Sequence, residues 1–344
     1  MSTDQVFIRA CKKLSVPHVP IWIMRQAGRY MKEYRAVREK VDFLELCKNP
    51  ELVKEVTLTA ANMLGVDAAI IFADILLISE PLGFQLDFLK GEGPRIHNPF
   101  RHNRDLKRLT LNAAEKELAY VGQAIEKTRQ ALPDQKALIG FAGAPFTVAS
   151  YLIEGGSSKN FEHTKILMKS DADTWNSFLD YITQMTFSYL RMQIEAGANA
   201  IQLFDSWVGL LNRNDYKDLV FPHIKNLVTQ LKSAFPDIPL IYFGTNTYHL
   251  LDIINKLHAD VIGIDSRINL SEVSVMLKDK ALQGNLDPVT LLCEQSIIKT
   301  ETVKILKEMH DRSGYIFNLG HGILPNTPFE NAKFLVDTVH AYQK

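Results

Sequence analysis

The sequence predicts an α/β protein, a single (β/α)8 barrel of the TIM type occupying residues 1–344. Three observations lead there. Eight short apolar runs recur along the chain, each followed by helical sequence, and that alternation builds a closed parallel sheet. The runs are apolar almost throughout rather than alternating, as strands covered on both faces are. The turn after the first run, Arg25-Gln26-Ala27-Gly28-Arg29, is not the glycine-rich dinucleotide turn of an open doubly wound sheet.

Taken in order, a leading helix is expected over 3–13 and the first strand over 19–24, opened by Pro20. Polar, helical sequence runs to Lys48. Asn49-Pro50-Glu51 then opens a helix to about Leu64, with Asn49 as cap, Pro50 in the first helical position and Gly65 as the stop. The second strand, 68–73, closes on Asp74. The prolines and glycines of 75–105 make that segment irregular, a hairpin flap over the strand ends. A helix over 111–132 leads to a third strand, 137–141. Gly143-Ala144-Pro145-Phe146-Thr147 turns into a short helix that holds Tyr151 and ends at Gly155-Gly156. That glycine pair, followed by Ser157-Ser158-Lys159, lacks the spacing of a P-loop and reads as a mobile loop.

The second half repeats the pattern. Helix 171–196 stops at Gly197 before strand 200–204. Helix 215–235 precedes strand 239–243, and helix 248–257 precedes strand 261–264. Helix 271–277 precedes strand 281–284, and helix 300–311 precedes strand 315–319. Thr327-Pro328-Phe329-Glu330 reads as a capping box with proline first in the last helix.

Composition narrows the function classes. The chain is 46% hydrophobic and 23% charged, which suits a large core. Lys+Arg and Asp+Glu each total 39, so no net charge draws the molecule to nucleic acid or an anionic membrane. Cys11, Cys47 and Cys293 are too few and too scattered for a disulfide framework or a Cys-x-x-Cys zinc pattern. A reducing, cytoplasmic location is expected, since 1–11 has no apolar signal core and no apolar run is long enough to span a membrane.

Barrel enzymes carry their chemistry at the carboxyl ends of the strands. Standing there are Arg25 and Arg29, Asp74, Tyr151, Asp205 and Ser206, Asp265, Asn285 and His321. No lysine is placed for a Schiff base, and no His-x-x-x-His or carboxylate cluster has metal-ligand spacing. The set therefore suits an anionic ligand and chemistry without a metal. Arg25 and Arg29 flank small residues, so two guanidinium forks can meet carboxylates or phosphates. The alternative is a solvated first helical turn. Asp74 ends an apolar strand. It is either a cap or arginine partner, or an anion facing N–H donors and developing positive charge. His321 between two glycines reads equally as a turn residue, Tyr151 as packing, and Ser206 alone carries little signal.

Several stretches resemble the uroporphyrinogen decarboxylases. They are Trp22-Ile23-Met24-Arg25-Gln26-Ala27-Gly28-Arg29-Tyr30, Asp67-Ala68-Ala69-Ile70-Ile71-Phe72-Ala73-Asp74-Ile75-Leu76, Gly143-Ala144-Pro145-Phe146-Thr147 with Tyr151, Phe204-Asp205-Ser206-Trp207, Gln283-Gly284-Asn285-Leu286-Asp287-Pro288, and Asn318-Leu319-Gly320-His321-Gly322-Ile323. The resemblance implies a homodimeric barrel enzyme of haem and porphyrin biosynthesis. It implies removal of the four acetate carboxyls of uroporphyrinogen III, giving coproporphyrinogen III and CO2, with no cofactor and no metal. Matched residue by residue, Arg25, Gln26, Ala27, Gly28 and Arg29 contact the tetrapyrrole, Asp74 faces its pyrrole N–H groups, and Tyr151, Ser206 and His321 complete the set. Asp74, Tyr151 and His321 are the catalytic candidates, and the proton donor stays open between Tyr151, His321 and a bound water. The chain departs from the family at Ser266, where tryptophan is frequent, at Thr245-Asn246-Thr247 and at Met31-Lys32. Two rivals remain. One is a zinc-dependent corrinoid or thiol methyltransferase of the same fold, which needs a His-x-Cys that is absent here. The other is a non-catalytic tetrapyrrole-binding protein.

Overall fold

Seven parallel strands form one curled sheet in the computed structural model, which describes residues 5–89, 93–111 and 114–342. The strands are β1 (Ala68–Ile70), β4 (Ala137–Gly143), β5 (Ala200–Asp205), β6 (Leu240–Gly244), β7 (Val261–Gly263), β8 (Ala281–Leu286) and β9 (Tyr315–Leu319), side by side in chain order. The two remaining strands, β2 (Leu86–Leu89) and β3 (Gly93–Ile96), pair antiparallel as a separate hairpin. Every residue of β4, β6, β8 and β9 is buried, which is why these runs read as continuously apolar.

The first expected strand, 19–24, is the main departure. It contributes one parallel bridge, Ile21 to Phe317. The Phe317 N–H donates to the Pro20 carbonyl at 2.8 Å, and on the other side the Asp67 N–H donates to the Ile21 carbonyl at 2.9 Å. The segment lies between β9 and the start of β1 but runs no ladder. Pro20 has no N–H to give. The Met24 N–H is taken by the Asn318 side chain at 3.1 Å, and the Ile23 carbonyl by the Gln26 N–H of the next turn at 2.9 Å. Backbone groups that a strand would share are thus committed to the loop that follows.

Helix starts and stops agree with the residues in most places. Pro50–Leu64 is capped by the Asn49 side chain, which accepts from Glu51 and Leu52, and stops at Gly65 in the left-handed region (φ 78°). The 24-residue helix Ala172–Glu195 is capped by Asp171. Three expectations are corrected. The capping box at Thr327 is not formed: Pro328 is itself the cap residue of Phe329–His340, and the buried Thr327 hydroxyl has no partner among the described residues. The helix over 215–235 is interrupted by a π turn, Tyr216–Val220, ahead of Phe221–Ala234, because Pro222 brings no N–H to a regular first turn. The helix over 300–311 begins earlier, as Gln295–Glu308. Residues 1–4 of the leading helix and 112–113 of the helix over 111–132 lie outside the described residues; Val6–Cys11, Ala114–Glu117 and Ala119–Ala131 are helical.

The irregular 75–105 segment is the expected hairpin. Asn98 ties its base, accepting from the Gln85 N–H at 2.7 Å and donating to the Gly83 carbonyl at 3.0 Å. Its tip, 90–92, lies outside the described residues. The loop after the Tyr151 helix is held to it, with the Ile96 N–H on the Gly155 carbonyl and a bridge from Arg95 to Gly156.

Candidate active site

A cavity of about 370 Å³ opens at the carboxyl ends of the strands. Its wall includes Arg25, Gln26, Ala27, Gly28, Arg29, Asp74, Tyr151, Ser206 and His321, so residues spread over almost 300 positions meet in one space. Asp205, Asp265 and Asn285, which also follow strands, do not line it. Asp205 is fully buried and accepts from Thr147 and from Tyr242, each at 2.8 Å. Asp265 accepts from the backbone of Asn246 and Arg267, and Asn285 donates to the carbonyls of Asp265 and Ile268. These three hold loops together. The Thr245-Thr247 loop joins the same lattice, with the Thr245 hydroxyl on the Ser206 carbonyl at 2.6 Å.

The arginine stretch is a turn, not a helix; the helix begins only at Lys32. Arg25 sits in the left-handed region (φ 65°), a strained position for a side-chain residue. Its stem lies against Gly322, where a Cβ would come within 2.5 Å of the Arg25 Cδ. Arg35 donates to the Arg29 carbonyl at 2.8 Å and Tyr30 to the Gln26 carbonyl at 2.7 Å. Both Arg25 and Arg29 are exposed to the cavity, and neither has a carboxylate partner among the described residues. Gln26 is fully buried, yet neither end of its amide has a partner there.

Asp74 makes a local backbone hydrogen bond and also lines the cavity. One oxygen accepts from the Leu76 N–H at 2.8 Å and so closes a local turn just ahead of Leu77–Ser79. The second oxygen has no hydrogen bond among the described residues and belongs to the cavity wall. Burial pushes the carboxyl up to about 6, against the opposing pull of the Leu76 N–H and the Arg25 guanidinium. Tyr151 is raised by burial and by the Asp74 charge, so its phenol stays protonated. His321 is lowered by desolvation within the concave wall and next by the Arg25 charge, so its imidazole is neutral at pH 7. The Arg25 charge bears on all three.

Sequence reasoning passed over the apolar part of the wall. Phe72, Phe141, Phe204 and Phe243 stand near the ends of β1, β4, β5 and β6 and line the cavity. Phe141 meets Phe204 edge-on at 5.5 Å, and Phe204 meets Phe243 at 6.1 Å. Phe43 packs on the flap's Phe88 at 4.5 Å and meets Phe72 edge-on at 5.9 Å, continuing the aromatic wall. The signal was present, an aromatic at the close of one strand after another, but a buried phenylalanine looks the same whether it packs or binds. The wall is thus aromatic on one part and carries two guanidiniums on another, which suits a polyanion with an apolar ring body.

No histidine, cysteine or carboxylate grouping with metal-ligand separations lies in this cavity among the described residues. The one such grouping is His18, Asp67 and His340, at the opposite ends of the strands. No described helix is long and apolar enough to cross a membrane.

Comparison with known proteins adds the following. A family model described as uroporphyrinogen decarboxylase (URO-D) matches residues 2–342. A uroporphyrinogen decarboxylase of Carboxydothermus hydrogenoformans is 46% identical over 338 residues, covering 98% of this chain and 96% of its own. One from Sorangium cellulosum is 46% identical over 336 residues, covering 97% and 95%. Among solved structures, a methyltransferase from Methanosarcina mazei superposes with a TM-score of 0.83 at 19% identity, over 98% of both chains. At that identity the likeness is one of fold.

Proposed function

The chain belongs to the uroporphyrinogen decarboxylase family, and from that premise we propose how its cavity carries out the reaction. The enzyme is a carboxy-lyase of porphyrin and haem biosynthesis. It converts the four acetate side chains of uroporphyrinogen III to methyls, giving coproporphyrinogen III and CO2. The observation that carries the site assignment is the convergence of unpaired Arg25 and Arg29, the half-occupied carboxylate of Asp74, and Tyr151, Ser206 and His321 on one aromatic-walled cavity.

Each round consumes one proton. A pyrrole ring takes a proton at carbon and becomes cationic. The bond from the acetate methylene to its carboxyl then breaks, its electron pair flows into the ring, and CO2 leaves. The methylene carbon is protonated and the ring proton is returned, leaving a methyl. The ring itself is the electron sink, so the route needs no cofactor. Arg25 and Arg29 hold substrate carboxylates as paired donors. The open oxygen of Asp74 accepts from the pyrrole N–H groups and stabilises the ring cation. A carboxyl near 6 is mostly ionised at pH 7, so the anion is present when the cation forms. Tyr151, Ser206 and His321 add hydrogen bonds around the reacting ring.

The same reading takes the chain as one barrel domain over 1–344, with Ile21 and its neighbours as the eighth stave between β9 and β1. It also takes the protein as a cytoplasmic homodimer. Supporting the last, Leu210 and Tyr248 are 40% and 52% exposed on adjoining turns after β5 and β6, apolar surface that a second copy would cover. Anaerobic incubation with uroporphyrinogen III, followed by counting carboxyls on the product, tests the function. Stepwise loss down to the tetracarboxylate is expected. Binding with the octacarboxylate unchanged would leave a carrier instead.

A further inference from the structure

We propose that His18, Asp67 and His340 form a site for a zinc-class divalent cation at the end of the sheet remote from the cavity. His18 Nε2 lies 2.8 Å from Asp67 Oδ1, and His340 Nε2 lies 2.9 Å from Asp67 Oδ2. One ligand atom from each residue can be chosen so that all lie within 4.8 Å of one another. The two imidazoles meet edge to face with centroids 5.1 Å apart, so their Nε2 atoms converge on the carboxylate from different directions. Two imidazole nitrogens and a carboxylate oxygen are a donor set for Zn²⁺, Co²⁺ or Ni²⁺, with a water as fourth ligand. Ligand atoms of a tetrahedral zinc stand roughly 3.3 Å apart, as bond lengths near 2 Å require. Reaching that separation asks only small side-chain rotations, and the three side chains, at 14–31% exposure, leave an entry path.

Asp67 is already fixed for the task. Its Oδ2 accepts from the Ile21 N–H at 2.8 Å, its own N–H donates to the Ile21 carbonyl, and its carbonyl accepts from Ala137. The anchor is thus the point where β1 begins and the Pro20–Met24 segment is tied in. His18 precedes that segment and His340 ends the last helix. A bound cation would clasp segments 49 and 273 residues from Asp67. Asp67 and Asp74 stand at opposite ends of one run of eight residues, roughly 23 Å by strand rise. The ion therefore strengthens the barrel's seam without touching the reacting groups.

The test uses chelator-stripped full-length protein with ZnCl2 by calorimetric titration, CoCl2 by visible absorption, and thermal unfolding at pH 7.5. Expected are one ion per chain, tetrahedral cobalt bands, and a rise in Tm of about 3–5 °C at a hundredfold excess over Kd, reversed by EDTA. His340→Gln and, separately, His18→Gln should each weaken zinc binding at least tenfold and abolish the cobalt bands. Cys293→Ser, which removes the exposed thiol, should change neither. No ion bound, or binding that survives both histidine variants, would overturn the proposal.

Discussion

Asp74 uses one carboxylate oxygen to close its own turn and leaves the other to the cavity, and this division accounts for its cost and its use. Its folded pKa is raised, from an ordinary 3.8 to about 6. Well below pH 3.8 the group is neutral whether folded or not. As pH rises through 4 to 6, the folded state must carry a desolvated charge, so the penalty is complete above about pH 6. Asp74→Asn keeps the turn's hydrogen bond and removes the charge. It should raise stability at pH 7.5 by on the order of 2 kcal/mol, measured by denaturant unfolding, with the gain vanishing below about pH 3. Turnover should fall by roughly 10²–10³. In the wild type, kcat/KM should drop on the acid side with a midpoint near 6. An unchanged profile in Asp74→Asn would leave Asp74 with only its turn. These properties were partly readable in advance: a carboxylate closing an apolar strand is expected to be partly desolvated. That Gln26 is fully enclosed beside it was not readable, because the left-handed turn at Arg25 that buries it leaves no mark in a short polar run.

At the scale of elements, β4 to β9 were readable because strands covered on both faces are apolar almost throughout, with only a few buried polar residues such as Gln202, Gln283 and Asn318. The first run, 19–24, has the same composition but spends its backbone on Asn318 and on the turn at Gln26, and composition does not report where hydrogen bonds go. The segment after β9 is set by contact. A Cβ at Gly320 would stand 2.2 Å from the Ser266 backbone nitrogen and 2.7 Å from its Cα, and neither can move cheaply. Gly320→Ala should cost about 1–3 kcal/mol and displace His321 and Gly322, on which Arg25 leans. Thermal unfolding and kcat/KM should both fall; a silent variant would mean that this turn does not position the site. Beneath the cavity, Tyr242→Phe removes one of two side-chain donors to the buried Asp205 and should cost about 1–3 kcal/mol. Because Asp205 does not line the cavity, KM should move little, and a large KM change would place it in the site after all.

For the whole molecule, the strand-end rule gathered the arginines, Asp74, Tyr151, Ser206 and His321, which line one cavity, along with Asp205, Asp265 and Asn285, which do not, since a parallel sheet puts every strand's carboxyl end on one side. The grouping of His18, Asp67 and His340 escaped it, because that rule looks to one end only and no spacing connects residues hundreds of positions apart. The two ends should respond independently. Exhaustive chelation should leave kcat unchanged, and activity restored by one specific metal would refute the cofactor-free route. The central claim is that one cavity fixes the substrate's carboxylates while it stabilises the ring cation. The most direct measurement is kcat/KM together with the carboxyl count of released products for Arg25→Lys and Arg29→Lys beside wild type. Lysine keeps the charge and loses the paired donors. The account predicts a loss of about 1.5–3 kcal/mol in transition-state binding and release of partly decarboxylated intermediates. Wild-type rates with fully decarboxylated product in both variants would contradict it.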